Sequence, residues 1–195
     1  FPYTTLFRST MPSELITERR GSTLVLSISD PATRNTISEQ VCSAGIEALN
    51  VAEADGSLRC VVLQGAGAHF SAGAHLGQLL EAAEAGPGRA SMGSPRIERL
   101  HEWIEAIRVF PKPVLAAVEG TAAGSGFALA LACDLIVAAE DARMSAAHAR
   151  FGLPPDGGVS AQLLQLLPRQ LALQMMWLGD PLLSPRQLQV HGIVN

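Results

Sequence analysis

The stretch from Val114 to Ala138 reads VLAAVEGTAAGSGFALALACDLIVA and decides the fold. Its first residues, Val114 to Val118, are apolar and predict a short buried strand. A turn of small residues, Gly120 to Gly126, follows and opens an apolar helix predicted from Phe127 to Cys133. Leu135 to Ala138 then predicts another strand. A strand, a tight turn, a helix and a second strand in such quick succession are typical of an α/β fold.

An earlier part of the chain has the same organisation. Arg59 to Leu63 predicts a strand, Gly65 to Gly73 is a loop rich in glycine and alanine, and His75 to Ala85 has a helical pattern. The two units lie about 50 residues apart, and this weak repeat predicts a stacked or spiral arrangement. Further predicted elements are a strand over 23–29, helices over 38–55, 97–108 and 159–167, and a connector from Gly86 to Pro95.

Composition excludes several classes of protein. Of the 195 residues, 48% are hydrophobic, which excludes a chain that is mainly disordered. The net charge of −4 argues against nucleic-acid binding, which needs clustered Lys and Arg. The apolar stretch from Gly120 to Cys133 is too short to cross a membrane. Cys42, Cys60 and Cys133 lack metal-ligand spacing, so we expect no metal site, and we interpret them as buried thiols of a reducing, cytoplasmic compartment.

Both ends of the chain have unusual sequences. The first stretch, FPYTTLFRS, is similar to a translated sequencing-library adapter, so we predict that residues 1–10 are not native and that the native chain starts at Met11. The last stretch, HGIVN, is typical of the beginning of a strand. We therefore predict one domain over residues 11–195 that is truncated at its C-terminus. The alternative is a genuine short protein with an unusual N-terminus.

Two turns of small residues carry the chemical signal. HFSAGAHL starts at His69, GTAAGSGF starts at Gly120, and each lies between a predicted strand and a predicted helix. Small side chains leave backbone N–H groups open to a ligand, and a helix N-terminus adds partial positive charge. Two such turns facing one another can form an oxyanion hole. The alternative is that both turns serve only close packing of helix against strand.

Four motifs together give a specific resemblance. SISDPATRNTIS, VVLQGAGAHFSAGAHL, PKPVLAAVEGTAAGSGFALALACDLIVAAEDAR and FGLPPDGG occur in this order. They resemble the enoyl-CoA hydratase/isomerase (crotonase) superfamily over essentially Met11 to Asn195. The resemblance implies a spiral of repeated strand–strand–helix (β-β-α) units, with a C-terminal helical trimerisation segment that we expect to be missing here. It also implies acyl-CoA thioester substrates, no cofactor other than the coenzyme A of the substrate, and a full-length parent that forms homotrimers or hexamers.

The resemblance also assigns residues. The two oxyanion N–H donors fall on Ala74 and Ser125, and Arg34 falls in the segment that lines the CoA nucleotide. The loop Ala72, Gly73, Ala74, His75 and Leu76 would curl around the substrate, with Gly124 in the second turn. His75 stands where the family usually has Asp, and we interpret it as structural. A solvated surface position is the alternative for Arg34.

The acid/base positions depart from the family pattern. Ala128 and His148 stand where a typical hydratase has its two glutamates. The aspartate of PPDGG, Asp156, is catalytic in some relatives, so we predict Asp156 as base, acid or nucleophile, assisted by His148. The alternatives are that Asp156 caps the following helix and that His148 is a neutral lining residue. We interpret His69, His101 and His191 as surface or turn residues, away from these acid/base positions.

The resemblance is strongest to one bacterial subgroup of enoyl-CoA hydratases and alternative-type oxepin-CoA hydrolases. We therefore predict an acyl-CoA hydratase or lyase, in the breakdown of phenylacetate or of fatty acids. Two alternatives stay open. A double-bond isomerase needs only one base. A CoA-binding protein without catalysis would also explain Ala128.

Overall fold

The computed structural model describes residues 13–84, 95–179 and 183–195. The elements follow in chain order: β1 (Glu14–Arg20), β2 (Thr23–Ser29), α1 (Glu39–Ala54), β3 (Cys60–Gly65), α2 (Leu76–Glu84), α3 (Pro95–Arg108), β4 (Val114–Val118), β5 (Thr121–Ala123), α4 (Ser125–Ala132), β6 (Leu135–Ala138), β7 (Arg143–Ser145), α5 (Val159–Leu166), α6 (Arg169–Leu178) and α7 (Pro185–Val190). Residues 1–10, which we predict to be non-native, lie outside the described residues. So does the predicted connector from Gly86 to Pro95, apart from Pro95 itself.

A five-stranded sheet forms the main layer, in the order β1-β2-β3-β4-β6. The β1 strand runs antiparallel to β2, and the other neighbours are parallel. A second row consists of the parallel pair β5 and β7, extended by the bridges Ser71 to Ala122 and Thr36 to Gly73. Each unit thus places one strand in the main sheet and one short segment in the second row. This confirms the predicted α/β fold of repeated β-β-α units.

Helix α4 lies at the centre of the fold, and every one of its residues is buried. It begins at Ser125, two residues before the predicted start, because Ser125 and Gly126 already have helical backbone. Gly126 is required here, since a Cβ at this position would lie 2.6 Å from the carbonyl oxygen of Ser71. This close approach brings the two turns of small residues into direct contact.

Helices α1 and α3 pack against one another beside the sheet. Trp103 of α3 is fully buried, and its indole occupies the space where Gly45 of α1 has no side chain. The side chain of Lys112 donates hydrogen bonds to the carbonyls of Ala52 and Asp55, at 2.5 and 2.7 Å, and so closes the C-terminal end of α1. This contact gives the lysine a structural role.

The prediction of three buried thiols is confirmed for two of them. Cys42 and Cys133 are buried, which raises the pKa of each thiol to about 12, but Cys60 is only half-buried. The last residue, Asn195, donates its backbone N–H to the carbonyl of Ile136 in β6 at 2.9 Å. Within the three described ranges, no helix is long and apolar enough to cross a membrane.

Candidate active site

The two turns of small residues cross one another at the end of the main sheet. The N–H of Ser71 donates to the carbonyl of Thr121, and the N–H of Ala123 donates to the carbonyl of Ser71, each at 2.9 Å. Gly73 has a φ of +82°, and a Cβ there would lie 2.5 Å from the carbonyl oxygen of Ala123 and 3.1 Å from the nitrogen of Ser125. Only glycine fits both this conformation and this spacing.

A buried asparagine holds the first turn in place. The side-chain amide of Asn35 is fully buried and donates to the carbonyls of Ala66 and His69, at 2.9 and 2.6 Å. The hydroxyl of Ser71 donates to the carbonyl of Asn35 at 2.7 Å and accepts the N–H of Gly73 at 3.0 Å. These hydrogen bonds satisfy the buried polar groups and fix the conformation of the turn.

The N–H groups of Ala74 and Ser125 are open. Ser125 is the first residue of α4, so its N–H has no partner inside the helix. Within the described residues, neither N–H donates to another protein group. Both residues line a cavity of about 840 Å³. The arrangement presents two backbone donors from neighbouring turns to the same space.

Asp156 lies in the same cavity and takes part in a network of three side chains. The Nε2 atom of His148 lies 3.0 Å from Oδ1 of Asp156. The hydroxyl of Ser125 lies 3.1 Å from both carboxylate oxygens and donates to them. The residue that supplies a backbone N–H to the cavity therefore also holds the carboxylate through its side chain.

These contacts keep the carboxylate ionised. Burial is the largest single influence on Asp156 and by itself raises its pKa, but the hydrogen bond and the charge of His148 lower it, with smaller contributions from Ser125 and Arg96. Together they hold the pKa of Asp156 below its ordinary value. An ionised carboxylate only accepts hydrogen bonds, so the 3.0 Å contact with Oδ1 is a hydrogen bond in the form of His148 that carries a hydrogen on Nε2.

The helix-capping alternative for Asp156 is wrong. Helix α5 begins at Val159, its N-cap is Gly158, and no side chain caps it. Asp156 contributes only its backbone carbonyl, which accepts the N–H of Val159 at 3.2 Å. Its side chain is committed to Ser125 and His148 instead.

His148 is a buried member of the site. It is 7% exposed and begins a short 3-10 helix, His148–Phe151, that follows Ala147 at a φ of 51°. Its Nδ1 atom is buried and has no hydrogen-bond partner among the described residues. Among the described residues, the hydrogen-bond contacts of the imidazole are therefore made by Nε2 alone, which lies 3.0 Å from Oδ1 and 3.4 Å from the backbone nitrogen of Asp156.

Ala128, at the position of the first family glutamate, is buried and does not line the cavity. Ala128 is fully buried, and a Cβ on Gly157 would lie 2.6 Å from the Cβ of Ala128. Of the described residues that line the cavity, Asp156 alone carries a carboxylate. The arrangement therefore supports proton transfer through one carboxylate.

Most residues assigned to CoA line the cavity, but Gly73 and His75 do not. Arg34 is exposed, has a φ of 60°, and lines the cavity together with Ala72, Leu76 and Gly124. His75 is different, because its Nδ1 accepts the N–H of Gln78 at 3.2 Å and so caps α2. This contact agrees with the structural interpretation of His75.

Two cavity residues were missed by the sequence reasoning. The prediction that His101 lies away from the acid/base positions is wrong: it lines the cavity, and its Nε2 accepts the N–H of Gly157 at 3.1 Å. Arg96 lies beside Asp156, with Nη2 3.8 Å from Oδ2. A signal for Arg96 was present, since extending the buried stripe of Leu100 and Trp103 one turn backwards places Arg96 on the same face.

Comparison with known proteins identifies the family. Residues 18–195 match the family model described as enoyl-CoA hydratase/isomerase. The chain is 32% identical over 183 residues to the 2,3-dehydroadipyl-CoA hydratase of Escherichia coli K12, covering 94% of this chain and 68% of that protein. It is 32% identical over 173 residues to the 1,2-epoxyphenylacetyl-CoA isomerase of the same organism, covering 88% of this chain and 64% of that protein.

A solved structure agrees with these sequence matches. The crystal structure of an enoyl-CoA hydratase from Polaromonas sp. JS666 is similar with a TM-score of 0.88 and 44% identity, over 93% of this chain and 69% of that chain. The chain thus spans about two thirds of the length of the proteins it resembles. On the family match and these similarities, the chain belongs to the enoyl-CoA hydratase/isomerase family, within the crotonase superfamily.

Proposed function

We propose that the chain adds water to the double bond of an enoyl-CoA thioester, with Asp156 as the group that moves the proton. The observation that carries this proposal is the position of an ionised carboxylate in the same cavity as two open backbone N–H groups. Ionisation in the resting state favours Asp156 as a base at the start of the reaction rather than as an acid.

In the proposed reaction, Asp156 takes a proton from water while the oxygen of that water bonds to the β-carbon of the substrate. The electrons of the double bond move onto the thioester oxygen, where the N–H groups of Ala74 and Ser125 stabilise the negative charge. The protonated Asp156 then returns its proton to the α-carbon as the carbonyl reforms. One carboxylate thus serves first as base and then as acid, so a residue other than glutamate is tolerated at position 128.

A double-bond isomerase is the second candidate, because the same single carboxylate can carry a proton from one carbon of the substrate to another. Incubation of the chain with an enoyl-CoA in oxygen-labelled water separates the two. We expect a hydroxyacyl-CoA that carries the label. A shifted double bond without the label would instead assign the isomerase, and CoA binding without any product would favour the non-catalytic alternative.

The metabolic role is proposed on the resemblance and on one relative. A relative of this chain is named for an epoxyphenylacetyl-CoA, which supports a role in the breakdown of phenylacetate. Fatty acid breakdown is the other role that the resemblance implies. We also propose, from the resemblance alone, that the parent protein acts as a homotrimer or hexamer in the cytoplasm.

The contact between His148 and Asp156 predicts how activity depends on pH. Asp156 must be ionised to act as base, so activity falls as the pH drops through its lowered pKa. His148→Leu removes both the hydrogen bond and the charge that lower this pKa, so we expect the acid side of the kcat/KM profile to move to higher pH. His148→Gln retains a donor without a charge and should move it less. If the acid side of the profile were unchanged in both variants, the pKa that governs activity would not be that of Asp156.

A further inference from the structure

Arg96 differs from the other cations of the cavity. The described lining residues include four arginines, Arg34, Arg96, Arg143 and Arg150, against one carboxylate. Three of these arginines are exposed, whereas the side chain of Arg96 is only 15% exposed. The exposed ones suit the phosphates of a CoA nucleotide at the mouth. Arg96 lies inside, beside the group that moves the proton.

The guanidinium of Arg96 makes no hydrogen bond to the described residues. Its Nη2 lies 3.8 Å from the nearest oxygen of Asp156, which is too long for a hydrogen bond. Its Nη1 is buried and has no hydrogen-bond partner among the described residues. A guanidinium carries five N–H donors in a fixed plane, and within the described part of the chain none of those of Arg96 makes a hydrogen bond.

Asp156 does not require Arg96 as a hydrogen-bond partner. The hydroxyl of Ser125 and the imidazole of His148 already bond its two oxygens. A purely apolar acyl chain would seal Arg96 from water without giving it an acceptor, and a buried charge without a partner is costly. The cavity therefore favours an acyl group that carries an acceptor of its own.

We propose that the acyl group carries a second carboxylate, and that Arg96 binds it. A carboxylate matches the two-pronged geometry of a guanidinium and offsets its charge. The substrate class is then the CoA monothioesters of dicarboxylic acids. The acid must be short, because Arg96 lies within a few ångströms of Asp156 and so of the reacting carbons. The inference rests on the proposed function only in taking a CoA thioester as the ligand of this cavity.

The test compares two thioesters that have the same carbon count and no double bond, adipyl-CoA and hexanoyl-CoA. Neither can be hydrated, so isothermal titration calorimetry measures binding alone. We expect the chain to bind adipyl-CoA about 10- to 100-fold more tightly, the range typical of a hydrogen-bonded charge pair. Arg96→Gln should abolish this preference, and Arg96→Lys, which keeps only a point charge, should retain part of it.

Arg143→Gln is the matched control, because Arg143 lines the same cavity but is exposed. It should leave the ratio of the two affinities unchanged, even where it weakens the binding of both. Equal affinities for the two thioesters in the unchanged chain would overturn the inference, as would a preference that survives in Arg96→Gln. Since the first comparison needs no variant, the test does not depend on how Arg96→Gln folds.

The outcomes also separate this inference from the proposed function. A preference for adipyl-CoA without hydration of any enoyl-CoA would overturn the proposed function and support the carboxylate site. Hydration of enoyl-CoA thioesters without such a preference would do the reverse.

Discussion

Asp156→Asn should lower kcat for enoyl-CoA hydration by about 10²- to 10⁴-fold, the range typical of losing a positioned acid/base group. Asparagine has nearly the same shape and retains an acceptor for the hydroxyl of Ser125, but it cannot take a proton from water. The two N–H donors are untouched, so the affinity for a non-reactive acyl-CoA should change little. Steady-state kinetics and calorimetry on the same preparation measure the two effects.

Asp141→Asn is the control for this substitution. Asp141 is exposed and does not line the cavity, so the change removes the same charge outside the site. It should leave kcat unaltered. If Asp156→Asn turned over substrate about as fast as the unchanged chain, the proposed role of Asp156 would be wrong. Another group would then have to take the proton from water.

Gly73→Ala should lower kcat/KM by about 10²- to 10³-fold, the cost typical of losing an oxyanion-hole donor. The added methyl group would meet the carbonyl oxygen of Ala123 at 2.5 Å and the nitrogen of Ser125 at 3.1 Å, so the two turns must separate. Alanine is also strained at a φ of +82°. This strain should lower the free energy of unfolding by about 1 to 3 kcal/mol, measured by chemical denaturation.

Gly67→Ala isolates the effect of the close approach. Gly67 lies in the same loop with a φ of +73°, but nothing lies within 4 Å of its added Cβ. It should share the loss of stability from the strained backbone and retain the activity. If both variants lost activity equally, strain in the loop would be the cause, and the proposed spacing of the N–H donors would be wrong.

The fold was predictable because its signals are local. The apolar strand Val114–Val118 and the small residues after it form one continuous pattern, and the earlier unit repeats it. The sequence predicts the start of α4 two residues late, because the composition of Ser125 and Gly126 is typical of a turn. Gly126 packs closely against Ser71, more than 50 residues earlier in the chain, and no local pattern contains such a contact.

The site was predictable only in part, for the same reason. The backbone donors on Ala74 and Ser125 follow from the motifs, since a backbone N–H does not depend on the side chain. The pairing of Asp156 with His148 was also predicted, but its contact with the hydroxyl of Ser125 was not, because Ser125 lies 31 residues away. The positions of Arg96 and His101 in the site were not predictable, because they depend on how α3 packs beside the PPDGG turn. A helical stripe does not indicate which residue its end will contact.

Ser125 has a consequence for the precision of the proposed mechanism. Its backbone nitrogen and its hydroxyl oxygen belong to one residue, joined through Cα and Cβ, so covalent geometry restricts their separation. When α4 shifts by thermal motion, the point that holds the thioester oxygen and the point that holds the carboxylate shift together. Movement of α4 therefore changes little the distance between the N–H group that binds the thioester oxygen and the carboxylate that moves the proton.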